Sequence, residues 1–420
     1  MEGVAGARGR AGRGPGMTTT GEPGPDPIAR RARANEEFFA QEADRIARLC
    51  HRMAERFARG GRLIAIGDSP AARSDVRHVA VEFVHPVIVG KRALPAIGLS
   101  AASHADLLAE PDDIVIGFGA EEDMLGSARR HGCLTIGVCP HAQAEWTFVP
   151  PTEDPFVAQE LVETLYHVLW ELVHVFFEHR GLLEGRTAGA VHDTGASSFL
   201  YPFLAEREDD LETVIADVRA SVLMKAEEVG ELRRQTLAEG ADELATAAAA
   251  LRASFEAGGK LLALGNGGSA TDAMDVVADF RSPPRPWPAR RAIDLTEDPA
   301  ILTAIANDIG VEAMFARQVI AYGQEGDALL ALSTSGNSVN VIAALAEARR
   351  RGLRTIAMVG YDGGRVADER LADHVIVTRS QHIPRIQEAQ ASAYHVLREL
   401  VEVSGGGSLP ETASANASVR

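Results

Sequence analysis

Asp275 and Asp279 stand four residues apart in LLALGNGGSATDAMDVVADF (261–280), a stretch that passes from an apolar strand through a glycine turn into a helix. Side chains at i and i+4 share a helix face, so this spacing points both carboxylates the same way. LIAIGDSPAARSDVRHVAVEF (63–83) repeats the layout with one extra residue and places His78 and Glu82 in the matching positions. Acids and imidazoles so arranged suit divalent-cation binding or proton transfer. The turn ahead of Asp275, GNGGS (265–269), lies where a strand meets a helix, and its Gly267 and Gly268 let backbone N–H groups approach an anion. A second loop, STSGNS (333–338), crowds the hydroxyls of Ser333, Thr334, Ser335 and Ser338 round Gly336 ahead of another helix. Hydroxyls and free helix N–H groups satisfy several phosphate oxygens without a lysine. A serine N-cap accounts for only one of the four.

The elements that must hold these residues occur twice. ERFARGGRLIAIG and ASFEAGGKLLALG align without a gap, each after a helical stretch that begins near Asn35 in one case and Leu211 in the other. The strands DDIVIGFG and CLTIGVCP answer DALLALSTSG and RTIAMVG. QELVETLYHVLWELV (159–173) answers QEAQASAYHVLRELV (387–401), with Gln-Glu and Tyr-His at the same interval in both. Strands alternating with helices imply parallel sheets covered on both faces. The expected class is α/β, two tandem three-layer α/β/α units of flavodoxin-like topology. The boundaries are a disordered arm over 1–34, a first copy over 35–180, a linker over 181–210, a second copy over 211–404 and a disordered tail over 405–420.

The copies differ where chemistry is at stake. In the first, GDSPA replaces GNGGS, and Pro70 removes an N–H donor. GFGAEED (117–123) sets Glu121, Glu122 and Asp123 where the hydroxyls of STSGNS would stand, and carboxylates repel phosphate. SAASHADLLAEPDD (100–113) is much shorter than the segment holding AIANDIG in the second copy.

Composition narrows the function classes. A net charge of −17 disfavours nucleic acid and anionic membranes as partners. No apolar run of membrane-spanning length is present, and the Gly-, Arg- and Pro-rich start lacks the apolar core of a secretory signal. Cys50, Cys133 and Cys139 form no Cys-x-x-Cys pair, which fits a reduced, cytoplasmic setting. GNGGSA lacks the G-x-G-x-x-G spacing of a dinucleotide site.

GNGGS, the helix with acids at i and i+4, NDIG (307–310), STSGNS and RIQEAQASAYH (385–395) together resemble the phosphoheptose isomerases of the sugar isomerase (SIS) group, over essentially all of residues 211–403. The resemblance implies that Asn266, Gly267, Gly268, Ser269, Asn307, Asp308 and Gln387 contact substrate, and that Ser333, Thr334, Ser335 and Ser338 hold its phosphate. The family binds a divalent metal, usually zinc, through a His and a Glu on the first helix and a Gln and a His on the last. Those positions are Asp275, Asp279, Gln387 and His395 in the second copy, and His78, Glu82, Gln159 and His167 in the first. Asp275 and Asp279 depart from the family pair and harden the ligand set, which opens the site to manganese or magnesium as well as zinc. The first copy keeps the metal residues and the second keeps the phosphate loops. The implied reaction converts sedoheptulose 7-phosphate to a manno-heptose 7-phosphate through an enediol, with Asp279 and His395, or Glu82 and His167, as base and acid. A homodimer carrying four SIS units is expected. The alternative is a non-catalytic sugar-phosphate sensor or assembly protein.

Overall fold

The computed structural model describes residues 26–87, 91–119, 122–140, 143–178, 183, 210–285 and 287–402. The first copy runs α1 (Pro27–Ala58), β1 (Leu63–Ile66), α2 (Pro70–Val84), β2 (Ala96–Gly98), α3 (Ala105–Leu108), β3 (Ile114–Gly117), α4 (Glu122–Arg130), β4 (Leu134–Gly137), β5 (Trp146–Thr147) and α5 (Pro155–Glu178). The second begins with α6 (Leu211–Glu239) and α7 (Ala241–Glu256), then β6 (Leu261–Leu264), α8 (Gly268–Arg281), β7 (Ala292–Asp294), α9 (Pro299–Asp308) and α10 (Met314–Tyr322). It closes with β8 (Ala328–Ser333), α11 (Val339–Arg350), β9 (Arg354–Gly360), α12 (Gly364–Asp368), β10 (His374–Thr378) and α13 (Ile383–Glu402).

Each copy forms a five-stranded parallel sheet, in the orders β2-β1-β3-β4-β5 and β7-β6-β8-β9-β10. These are the same order, and the flavodoxin-like expectation holds. All residues of β1, β3, β4, β6 and β8 are buried, because helices cover both faces. In this topology the chain reverses direction across the sheet between β1 and β3, and between β6 and β8, which opens a crevice at their carboxyl ends. GNGGS leaves β6 and STSGNS leaves β8, so both loops flank the second crevice.

The long helices ahead of the sheets cross the boundary between the copies. Val214, Ile215, Val218, Val222 and Ala226 of α6 join the first copy's apolar core. Ile28 at the start of α1 packs on the second copy's core, and Arg30 bonds Glu399 of α13 at 2.8 Å. The arm expected through residue 34 therefore ends earlier. Asp26 caps α1 by accepting from the Ile28 N–H, Pro27 sits at a first-turn position that needs no donor, and buried Arg31 pairs with Glu160 at 2.9 Å. The expected linker, apart from Leu183 and Asp210, and the expected tail lie outside the described residues.

Candidate active site between the two copies

The second copy's loops have the conformations their glycines permit. Gly267 caps α8 at φ 57° and Gly336 turns STSGNS at φ 62°. Ser333 Oγ accepts from the Gly336 N–H at 3.2 Å and lies 3.4 Å from Ser338 Oγ. Ser269 and Ser333 are buried, while Thr334, Ser335 and Ser338 are half-buried at the mouth of the crevice. The side chain of Asn266 forms a reciprocal amide pair with Asn340, at 3.0 and 2.8 Å, which fastens one loop to the helix that follows the other. Asn307 and Asp308 stay exposed at the end of α9, and the Asn307 amide donates to Asp308 at 2.7 Å. In the first copy, Ser69 caps α2 by accepting from the Ala72 N–H, with Pro70 at the first helical position. Glu121 and the Glu122 side chain fall outside the described residues, and Asp123 is exposed.

Beneath these loops α2 and α5 of the first copy meet α8 and α13 of the second, and the family-type residues gather into two buried centres. In the first centre His78 Nε2 lies 3.3 Å from His167 Nε2 and 3.8 Å from Glu82 Oε1, and Glu163 joins the two histidines. His167 Nδ1 lies 3.0 Å from Glu388 Oε1, which directs the proton to Nδ1 and leaves the Nε2 lone pair facing His78. Tyr166 bonds His78 Nδ1 at 2.9 Å. Burial above all, and then His167, holds His78 well below the usual histidine range, so its ring is neutral. Burial lifts the Glu82 carboxyl to about 7 against the opposing pull of His167.

The second centre repeats this geometry with different chemistry. Asp275 stands where His78 stands and accepts from Tyr394 at 2.9 Å and from Ser74 of the first copy at 3.1 Å. His395 Nε2 lies 3.5 Å from Asp275 and 3.3 Å from Asp279, and its Nδ1 bonds Glu160 of the first copy at 2.9 Å. Burial alone would lower the His395 pKa, but Asp275, Asp279 and Glu160 raise it well above the usual range. Burial and Asp275 raise Asp279 to about 6. The imidazolium thus supplies a cation of its own. In the first centre two imidazole nitrogens converge, and Glu82 Oε2 and both Glu163 oxygens have no hydrogen-bond partner. A divalent ion fits the first centre on that ground.

The glutamines do not join the centres of their own copies. Gln387 lies 3.3 Å from His78 Nε2 in the first copy's centre, while Gln159 donates to Asp75 Oδ1 at 3.2 Å. Residues eight apart on a helix differ by about 80° in direction and about 12 Å along the axis, so Gln and His face different neighbours. Sequence reasoning also missed Glu160 and Glu388, the carboxylates that hold the two histidines across the copy boundary. The repeated Gln-Glu pair was their signal. Asn340, Asp272 and Glu163 gave none.

The GNGGS loop closes over the first centre. A Cβ on Gly268 would overlap the Gln387 amide and come within 2.9 Å of His78 Nε2. On the loop's other side lies a cavity of about 430 Å³, lined by Arg77 and Val81 of α2 and by Asn266, Gly267, Thr271 and Thr296 of the second copy. Among the described residues no helix is long and apolar enough to cross a membrane.

The family model described as SIS domain matches residues 226–360. The phosphoheptose isomerase of Geobacter sulfurreducens is 42% identical over 193 residues, 45% of this chain and 97% of that protein. That of Chlorobium phaeobacteroides is 47% identical over 174 residues, 40% of this chain and 76% of that protein. The C-terminal domain of glucosamine-fructose-6-phosphate aminotransferase from Francisella tularensis superposes on 89% of this chain and 93% of its own length, with a TM-score of 0.55 and 10% identity, which shows a shared fold. Two SIS-type sheets lie in one chain, and the Geobacter relative is matched nearly end to end at 42% identity. The chain belongs to the phosphoheptose isomerase family of SIS-domain proteins.

Proposed function

We propose that the chain is an aldose–ketose isomerase that converts sedoheptulose 7-phosphate to D-glycero-D-manno-heptose 7-phosphate at a site built from both copies. The observation that carries this reading is the approach of Gly268 and Gln387, from the copy with the phosphate loops, to His78, from the copy with the metal residues. The similarity to the phosphoheptose isomerases of Geobacter and Chlorobium supports the substrate.

Ser333, Thr334, Ser335, Ser338 and the N-terminus of α11 hold the phosphate. Asn266, Gly267, Gly268 and Ser269 bind the sugar, with Asn266 held in place by Asn340. Glu82 takes a proton from C1 and returns it at C2, the hydroxyl proton passes from O1 to O2 across the enediol, and Glu388 orients the His167 ring. His78, His167, Glu82 and Gln387 are the family-type residues that would hold a divalent cation, zinc foremost. Such an ion polarises the sugar oxygens. Asp275, Asp279, His395 and Gln159 form a structural counterpart in this reading. Asn307 and Asp308, exposed beside exposed Ile309 and Val311, meet a neighbouring chain in a homodimer.

The test is an isomerase assay of the purified full chain on sedoheptulose 7-phosphate, with and without added zinc or manganese. Metal-dependent turnover is expected. No turnover with either metal, together with retained binding of the sugar phosphate, would replace the enzyme with a sugar-phosphate sensor.

A further inference from the structure

Four carboxylates stand close to the histidine pair of the first copy, and one of them has no counterpart in the second. We propose that Glu163 is the carboxylate ligand of the divalent cation held by His78 and His167, which leaves Glu82 free to move the substrate proton. The proposal rests on the isomerase reading and refines its metal centre.

Glu163 lies one helical turn before His167 on α5, so both side chains leave the same face. One carboxylate oxygen of Glu163 and one ring nitrogen each of His78 and His167 all lie within 4.8 Å of one another. Glu163 has no exposed surface, and neither of its oxygens has a hydrogen-bond partner. The buried cations nearby are already engaged. Arg233 donates to the carbonyls of Glu160 and Glu388 and to Thr164 and Asn35, while Arg385 pairs with Glu388 and Glu171. Asp272, whose Oδ1 lies 3.6 Å from His78 Nδ1, adds a further buried carboxyl group. A buried carboxylate without a partner is retained only where a cation or a proton compensates it.

The comparison between copies points the same way. The residue equivalent to Glu163 is Ala391, and in that copy Asp275 replaces His78. The extra acid occurs only where the two imidazoles converge. Two histidines and one carboxylate make a three-ligand set that keeps a position open for substrate. Glu82, 3.8 Å from His78 Nε2, is not one of the three residues whose ligand atoms all lie within 4.8 Å of one another. A carboxylate bound to a cation is a poor base, so moving the ligand role to Glu163 removes a conflict that the family-type set creates at Glu82.

The experiment titrates full-length wild type, Glu163→Gln and Glu82→Gln with cobalt(II), reading the visible spectrum and the affinity by chelator competition. Turnover of sedoheptulose 7-phosphate is measured on the same samples. Glu163→Gln is expected to weaken cobalt binding by at least about tenfold and to change its spectrum. Glu82→Gln is expected to keep the wild-type affinity while turnover falls. Wild-type affinity and spectrum in Glu163→Gln, with loss in Glu82→Gln, would overturn the assignment and leave the isomerase reading intact. Weakened cobalt binding in Glu163→Gln, in a protein that isomerises no sugar, would uphold the ligand and overturn the isomerase. Glu163→Cys provides a check that survives a stability defect. A cobalt–thiolate charge-transfer band must appear in the folded, cobalt-loaded variant, and its absence would refute coordination at residue 163.

Discussion

Gly268→Ala isolates the contact between the copies with one methyl group. The backbone φ of Gly268 lies outside the left-handed region, so alanine meets no conformational penalty there. In a helix alanine is favoured over glycine by about 1 kcal/mol. The added Cβ, however, would overlap the Gln387 amide and stand 2.9 Å from His78 Nε2, where ordinary contact begins at 3.4 Å. The imidazole must therefore retreat by about 0.5 Å, the difference between those distances, and the amide by more. Misplacing a reacting group by about 1 Å can cost about a hundredfold in rate, and that loss in kcat/KM corresponds to about 2.7 kcal/mol. Overpacking costs about 1–3 kcal/mol and is partly offset by helix propensity, so global stability changes by less than about 2 kcal/mol. Steady-state kinetics with sedoheptulose 7-phosphate, beside urea unfolding, measure both quantities. Because Gly268 and Gln387 touch, the double variant with Gln387→Ala should lose little beyond the worse single change. Unchanged kcat/KM in Gly268→Ala, or losses that multiply in the double variant, would refute the composite site.

Glu171 is one of several buried, paired carboxylates, with Glu160 and Glu388, that make stability sensitive to acid. Burial alone would raise its pKa, but Arg385 and Lys225 outweigh it and hold the carboxyl at about 2. The resulting stability, about 3 kcal/mol, is fully present above pH 4.5 and is lost as pH falls toward 2. Urea unfolding from pH 7 to pH 3 should show about 2 kcal/mol of that loss in wild type and a flatter profile in Glu171→Gln. Asn340→Ala releases the Asn266 amide by removing two hydrogen bonds of about 1 kcal/mol each, and should raise KM for the sugar phosphate about tenfold with a smaller change in kcat. Metal analysis of His78→Ala should show loss of the bound cation, whereas Asp275→Asn should retain it, because His395 already neutralises that centre.

The doubled α/β fold was legible because its central strands are wholly apolar and each leads into a helix, so LIAIG and LLALG identify themselves and each other. The edge strands were not. β5 is two residues long and β2 and β7 three, too short for any periodicity to register. The loops GNGGS and STSGNS stood where their glycines and hydroxyls indicated, since such turns are locally encoded. The destinations of Gln159 and Gln387 depend on how α5 and α13 cross, a tertiary fact that spacing along one helix does not contain. Helix α1 begins earlier than composition suggested because Arg31 gains a buried partner 129 residues away in sequence.

The placement of Gln387 in the first copy's centre bears on how such a chain can change over time. Two identical subunits trading residues share one gene, so any alteration to a donor strikes every pocket at once. Covalent fusion ends that constraint. One half is then at liberty to discard its phosphate grip and the other its histidine pair, and neither loss is fatal while the remaining halves complete a single pocket.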